Sequence, residues 1–321
     1  HQLIRMPEPP IIIATRGSAL ALAQANLIFD QWRAAFPRLA FEIKIIKTTG
    51  DKLQTASLAQ AGHSLPKGLF TKELEVALVR QKADLAVHSL KDLPTELPAG
   101  LTLGAVGKRE DPRDVLIYKT DAGFDGPIPQ LTGGARVATG SPRRQAQLRV
   151  ARPDLEVEEI RGNVPTRLEK LAENDDLAGT LLAAAGLSRL HFSITDDGRL
   201  EGDAVPEGIR AIRLDANLML PCVGQGAIGI EIRADDGRIQ KICERLNHFN
   251  THAAVTAERA FLRGMGGGCQ SPVGALAEVE GARLILRAVS FLNDTVQRSE
   301  QTSDVREPAA LGEAVAAELG A

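Results

Sequence analysis

The chain has 321 residues, a formal net charge of −3, 44% hydrophobic residues and 25% charged ones, so more than one domain of an ordinary globular composition is expected. A protein that gripped nucleic acid through its overall charge would be basic, and aromatics at 3%, with one Trp and one Tyr, leave little on which to stack bases. Cys222, Cys243 and Cys269 are odd in number and widely spaced, without C-x-x-C or Cys/His spacing, so free thiols in a reducing compartment are expected and no metal site.

The apolar runs are too short for a membrane span, and no signal peptide is visible. A cytoplasmic location is expected. The start at His1 instead of Met suggests trimming and leaves a plastid open.

In chain order, Ile11-Ile12-Ile13-Ala14-Thr15 is an apolar run of the kind a buried parallel strand shows. Arg16 and Gly17 lead to Ser18, a good N-cap, and to a helix from Ala19 to about Phe36. Phe41 to Ile45 alternates as a strand, closed by a polar loop over Lys47-Thr48-Thr49-Gly50-Asp51. Residues 52–68 contain Gly62, Pro66 and Gly68 and read as a mobile loop. Thr71 to Gln81 reads as a helix with Leu74 and Leu78 on one face, and Asp84 to His88 as a buried strand. That strand runs into Ser89-Leu90-Lys91-Asp92 before the breaker Pro94.

A second unit begins near residue 113. Ala135 to Thr139 reads as a strand, and Gly140-Ser141-Pro142 opens a helix, with Pro142 suited to its first position. Val157 to Ile160 is a strand, a helix follows around Val164 to Ala172, and Thr180 to Ala184 is a further strand with Gly186-Leu187-Ser188-Arg189 at its end. The two openings Ala14–Ser18 and Ala138–Arg144 echo one another, each a strand, a small polar turn, a basic residue and a helix. Leu220 to Gly226 reads as a crossing segment, and the chain beyond about 245 as a small third domain. The expected fold is α/β for two units and α+β for the last. The expected domains are residues 1–108 with about 226–244, then 113–220, then 247–321.

The polar residues gather at strand ends, where open parallel sheets bind ligands. There stand Arg16 with Ser18, Ser89 with Lys91 and Asp92, Thr139 with Ser141, Arg143 and Arg144, and Arg161 with Asn163; Arg167 and Arg189 lie close by. Helix N-termini at the same places reinforce anion binding. A cleft lined this way suits a ligand with several carboxylates or phosphates, each Arg–carboxylate contact being worth about 1.5–3 kcal/mol. Any one of these arginines read alone is a solvated surface charge; the repeated placement makes the case.

A carboxylate among anion binders is a poor anion ligand. Asp92 is therefore either the ion-pair partner of Lys91 or a nearby arginine, or the stabiliser of a cation that the reaction creates. Cys269 lies in Gly264-Met265-Gly266-Gly267-Gly268-Cys269-Gln270, a glycine-rich loop that offers little core. A covalent role, as nucleophile or attachment point, is expected of it, whereas Cys243, in a helical stretch, reads as core. His248 and His252 are candidate bases by sequence proximity alone.

These segments together resemble the hydroxymethylbilane synthase (porphobilinogen deaminase) family from Ile12 to about Val289. The matching stretches include Ala14–Ser18, Lys47–Asp51, Gly68–Leu74, Ala86–Pro94, Arg143–Gln145, Arg161–Val164, Ala185–Leu187, Val223–Ala227, Thr256–Ala260 and Gly267–Gln270. The resemblance implies two domains like the halves of periplasmic binding proteins, a third bearing the cysteine loop, and a monomer. It implies a dipyrromethane cofactor held by a thioether to Cys269, and four condensations of porphobilinogen with loss of ammonia, followed by hydrolysis to hydroxymethylbilane. By the same match Asp92 is catalytic. Lys91, Ser89, Thr139, Ser141, Arg143, Arg144, Gly186 and Arg189 hold the cofactor, and Arg16, Ser18, Phe70, Arg161, Arg167 and Gln225 hold substrate.

Three departures stand out. Leu65-Pro66-Lys67-Gly68 replaces the family's Gly-Gly-Lys-Gly, Gly140 removes one hydroxyl from a Thr-Ser-Ser, and Cys222 takes the place of an alanine. The competing reading is a two-lobed binding protein for a small polycarboxylate, which has no use for Asp92 or the thiol. A nucleotide-binding reading of Gly224-Gln225-Gly226-Ala227-Ile228-Gly229 fails because the motif needs a strand before it and a helix after it.

Overall fold

The computed structural model describes residues 8–55, 68–119, 128, 131–268 and 270–320. The chain divides into two compact units, His1–Lys108 with Ile228–Phe249, and Arg109–Ala227 with Asn250–Ala321.

The first unit opens with β1 (Ile11–Thr15), α1 (Ala19–Ala35) and β2 (Phe41–Ile45). The Ser18 hydroxyl accepts from the Ala21 amide at 3.3 Å, which fixes where α1 starts. Next come α2 (Thr49–Thr55), α3 (Lys72–Val79), β3 (Leu85–Ser89) and β4 (Leu101–Val106). The polar loop expected over Lys47–Asp51 is thus overturned from Thr49 onward, where α2 begins. Gly50 permits it, because a Cβ there would run into the Phe70 ring. The mobile loop expected over 52–68 is likewise corrected at its start, which lies in α2; residues 56–67 fall outside the described residues.

In the second unit, β5 (Asp114–Lys119), β6 (Arg136–Ala138), α4 (Pro142–Ala151), β7 (Glu156–Glu158), α5 (Val164–Glu173), β8 (Leu177–Ala183) and α6 (Ala184–Arg189) follow in order. Gly186 to Arg189 thus close a helix instead of trailing from a strand. Two short strands, β9 (Ser193–Ile194) and β10 (Leu200–Glu201), precede β11 (Ile209–Arg213). The chain then re-enters the first unit as β12 (Ile228–Arg233) and α7 (Gly237–Leu246), and ends in α8 (Phe249–Gly264), β13 (Val273–Glu280), β14 (Arg283–Ser290), β15 (Gln297–Asp304) and α9 (Pro308–Leu319). Among the described residues, no helix is long and apolar enough to cross a membrane.

The first unit's sheet runs β2-β1-β3-β12-β4, and the second unit's runs β7-β6-β8-β5-β11. In each, three parallel strands are continued by an antiparallel one, β12 against β3 and β5 against β8. The echo between the two strand–turn–helix openings therefore extends to the whole sheet. The C-terminal part is a three-stranded antiparallel meander, β13-β14-β15, covered by α8 and α9, which is α+β as expected.

Within the second unit, Glu258 of α8 is fully buried. It takes two hydrogen bonds from Arg109 at 2.9 and 3.1 Å, one from the Gly224 amide and one from the Ala277 amide. One carboxylate thus ties the meander to the Gly224–Gln225 turn. Glu258→Gln keeps the shape but removes the charge, and is expected to lower stability by about 2 kcal/mol. Denaturant unfolding measures this, and an unchanged midpoint would contradict it.

Candidate active site

In the first unit, Arg16, Ser18, Gln24, Phe70, Thr71, His88, Ser89 and Asp92 line one recess. Strand β1 delivers Arg16 and the cap of α1 delivers Ser18. Strand β3 ends at Ser89 and passes into a 3-10 turn, Leu90–Asp92, that turns the half-buried Asp92 toward the recess. Arg16 bonds Asp51, with Nε at 3.2 Å, and its guanidinium carbon lies 4.3 Å from the centre of the Phe70 ring. Burial works against the Asp51 carboxylate, but hydrogen bonds from Arg16 and Thr48 hold it below its usual range. Arg16 is therefore fixed by an acid on one side and a ring face on the other. The Gln24 side-chain amide donates to the Ser89 hydroxyl at 2.9 Å. Gln24 carries no motif of its own, and no local signal in the sequence marks it.

In the second unit the arginines surround one acid. Asp114, fully buried at the start of β5, receives Arg143 Nη1 at 2.6 Å, Arg144 Nη2 at 2.7 Å and Gln225 Nε2 at 3.0 Å. Burial alone would raise its pKa; the two guanidinium groups more than reverse that and hold it far below the carboxylate range. Nothing local in the sequence marks Asp114. The Thr139 hydroxyl accepts from the Ser141 amide at 3.2 Å, and the Ser141 hydroxyl caps α4 at the Arg144 amide. Arg143 also meets Cys222.

Arg189, largely buried, pairs with Glu110 at 3.1 Å and donates to the Gly226 carbonyl at 2.8 Å. Gly226 has φ +88°, and a Cβ there would sit 2.7 Å from the Glu110 carbonyl, so this turn needs glycine. Gly186 lies within α6 with open space where a Cβ would be. Arg161 is exposed, with Glu159 at 3.4 Å.

Arg167 differs from the rest. Among the described residues no carboxylate pairs with it. Burial first, and the Arg144 charge second, push its pKa down to about 10. Among the described residues Asp114 is the carboxylate paired with Arg143 and Arg144, and Arg167, which feels the Arg144 charge, donates to the Gly162 carbonyl at 2.8 Å. Arg16, Arg143, Arg144, Arg161 and Arg189 each have an acidic partner among the described residues, while Arg167 has none.

Lys91 is half-buried beside Asp92. Cys269, and Lys67 of the altered loop, lie outside the described residues. Cys243 is core, as expected, with burial pushing its thiol up to about 12. His252 is held below its usual value by burial and by Arg259. The Gly224–Gly229 motif runs from a turn into β12, with no helix after it.

Residues 11–241 match the family model described as porphobilinogen deaminase, dipyromethane cofactor binding domain, and residues 252–321 match porphobilinogen deaminase, C-terminal domain. The chain is 45% identical over 311 residues to a porphobilinogen deaminase of Moorella thermoacetica, covering 96% of this chain and 92% of that one. It is equally 45% identical over 311 residues to one of Desulforudis audaxviator, covering 96% and 94%. Among solved structures, the periplasmic aliphatic sulphonate binding protein SsuA from Escherichia coli aligns at 10% identity with a TM-score of 0.39, over 79% of this chain and 70% of that chain.

Proposed function

The chain belongs to the porphobilinogen deaminase family, and from that premise we propose that Asp92 and Cys269 carry its chemistry. The enzyme is a transferase of tetrapyrrole biosynthesis that joins porphobilinogen units, and its family's cofactor is dipyrromethane. Once bound, that group supplies a nucleophilic pyrrole end on which the new chain is built. A binding protein without chemistry is not favoured by the family match.

The observation that supports the residue assignments is the surplus of guanidinium charge in the second unit. Arg144 and Arg167 repel one another in a largely desolvated place, and Asp114 compensates only part of the charge. A ligand bearing several carboxylates removes that cost, and each pyrrole carries two. Arg143, Arg144, Arg189, Thr139, Ser141 and Gly186 hold cofactor carboxylates in this reading, with Ser89 and Lys91 from the first unit. Arg161, Arg167 and Gln225 hold substrate carboxylates, as do Arg16 and Ser18 beside Phe70. Asp92, a carboxylate set beside anion binders, stabilises the positive charge that develops on the pyrrole when ammonia leaves, and takes the proton released as the new bond forms. The Cys269 thiol holds the cofactor as a thioether. Residues 1–108 with about 226–244, 113–220 and 247–321 serve as the three parts, and the enzyme is taken as a cytoplasmic monomer.

The mass of the intact purified chain tests the attachment. An excess equal to two deaminated porphobilinogen units is expected, and Cys269→Ser is expected to lose it together with turnover. An active chain of unmodified mass would refute the assignment.

A further inference from the structure

Beside the recess that holds Arg16 and Asp92 lies a set of ionisable groups to which the proposed chemistry gives no part. Glu75 on α3, His88 on β3 and Glu231 on β12 are all buried, with exposures of 7%, 5% and 0%. His88 Nε2 lies 3.0 Å from Glu231 Oε1. The remaining Glu231 oxygen, Oε2, and Glu75 Oε1 are buried without a hydrogen-bond partner among the described residues. Buried polar atoms are rarely left so, and an unshared buried charge is costly.

The three elements are packed together. Strand β3 pairs with β12, placing His88 opposite Gly229 and Glu231 opposite Ala86, and α3 lies on both. The other strands under α3, β1 and β4, carry no titratable residue. On β12 itself, Arg233 is engaged by the carbonyls of Leu78 and Ala83 and by Asp84 and Asp236. On α3, Glu73 accepts from the Thr49 amide, and Lys72 is exposed. Asp30 and Arg33 of α1, and Arg238, Lys241, Glu244 and Arg245 of α7, are exposed. Among the described residues, the only ion pair of Glu231 is with His88.

Two buried carboxylates beside one imidazole cannot both be ionised cheaply. Burial first, and Glu231 second, raise the Glu75 carboxyl above its ordinary range, while the Thr71 hydroxyl and His88 pull the other way. Thr71 and His88 both line the same recess as Arg16, Ser89 and Asp92. His88 is moreover the residue before Ser89, at the end of the strand that presents Asp92.

We propose that Glu75, Glu231 and His88 are positioning residues: a buried triad that keeps one proton between its two carboxylates and thereby fixes the end of β3 from which Asp92 is presented. The proposal rests on Asp92 as the catalytic carboxylate. Either carboxylate can serve as the imidazole's anion. If Glu231 loses its charge, Glu75 is freed to ionise and takes its place; if both lose it, His88 has no anion and the strand end slackens.

The test uses the cofactor-loaded enzyme and the variants Glu75→Gln, Glu231→Gln and the double variant. Carbon-13 NMR of glutamate-labelled protein is expected to show one carboxyl titrating above the others. That resonance should vanish in Glu75→Gln and titrate lower in Glu231→Gln. In kinetics, the double variant is expected to lose about tenfold more kcat than the two single losses combined, with KM within about twofold and the cofactor mass retained. Losses that simply combine, or a rise in KM that matches the fall in kcat, would overturn the proposal. So would a high-titrating glutamate that ignores Glu231→Gln, and this readout stands even if the double variant fails to fold. The NMR result does not depend on Asp92, so an error in the role of Asp92 would show separately, as normal turnover in Asp92→Asn.

Discussion

Asp92→Asn is expected to lower kcat by about 10²–10³-fold while leaving the covalent cofactor and the binding of intermediates in place. The amide has nearly the shape of the carboxylate, so the 3-10 turn Leu90–Asp92 and the recess around it should persist. What disappears is the negative charge opposite the developing cation, and with it the acceptor for the departing proton. The loss should fall on kcat, because the groups assigned to the substrate's carboxylates are arginines that the substitution does not touch. Single-turnover rates, read together with the mass ladder of enzyme-bound intermediates, separate the two. Turnover within a few-fold of the parent would remove Asp92 from the reaction.

Asp114→Asn is expected to cost about 3–5 kcal/mol of stability, because it leaves Arg143 and Arg144 buried without their anion. For a protein of this size that corresponds to a fall in Tm on the order of 10 °C. The pH dependence has a definite sign. The folded-state pKa of Asp114 is depressed far below its unfolded value. Its contribution is therefore fully present above about pH 4 and fades only as the pH falls toward the depressed value. The gap in Tm between parent and variant should stay constant from pH 5 to pH 8 and narrow in strong acid. A gap that grows on acidification would contradict the ion-pair account.

The parts of this fold that local chemistry specifies were legible in the sequence. The apolar run Ile11–Thr15, the cap Ser18 and the proline opening α4 each act within a few residues, and each element lies where those signals put it. The polar residues at strand ends were legible for the same reason. Partnerships were not. Arg143 and Arg144 announce themselves as a pair, but Asp114 is 29 and 30 residues away at the head of an apolar strand. Arg16 and Asp51 are separated by 35 residues, and His88 and Glu231 by 143. Helix α2 escaped notice because Thr49-Gly50-Asp51 has the composition of a turn, and only the Phe70 ring packed against Gly50 reveals why a helix fits there.

Strand β12 has a consequence for how the protein is made. It fills the slot between β3 and β4, yet it leaves the ribosome more than 120 residues after β4 ends. At about 5–20 residues per second, the nascent N-terminal segment waits on the order of 10 s with two strand edges open and unpaired. Such edges invite pairing with neighbouring chains. Meanwhile β5 to β11 emerge as one uninterrupted stretch that completes its own five-stranded sheet. For the two five-stranded sheets the order of birth and the order of completion are therefore reversed: the one begun first is closed later, and until then its edges stay open to its copies.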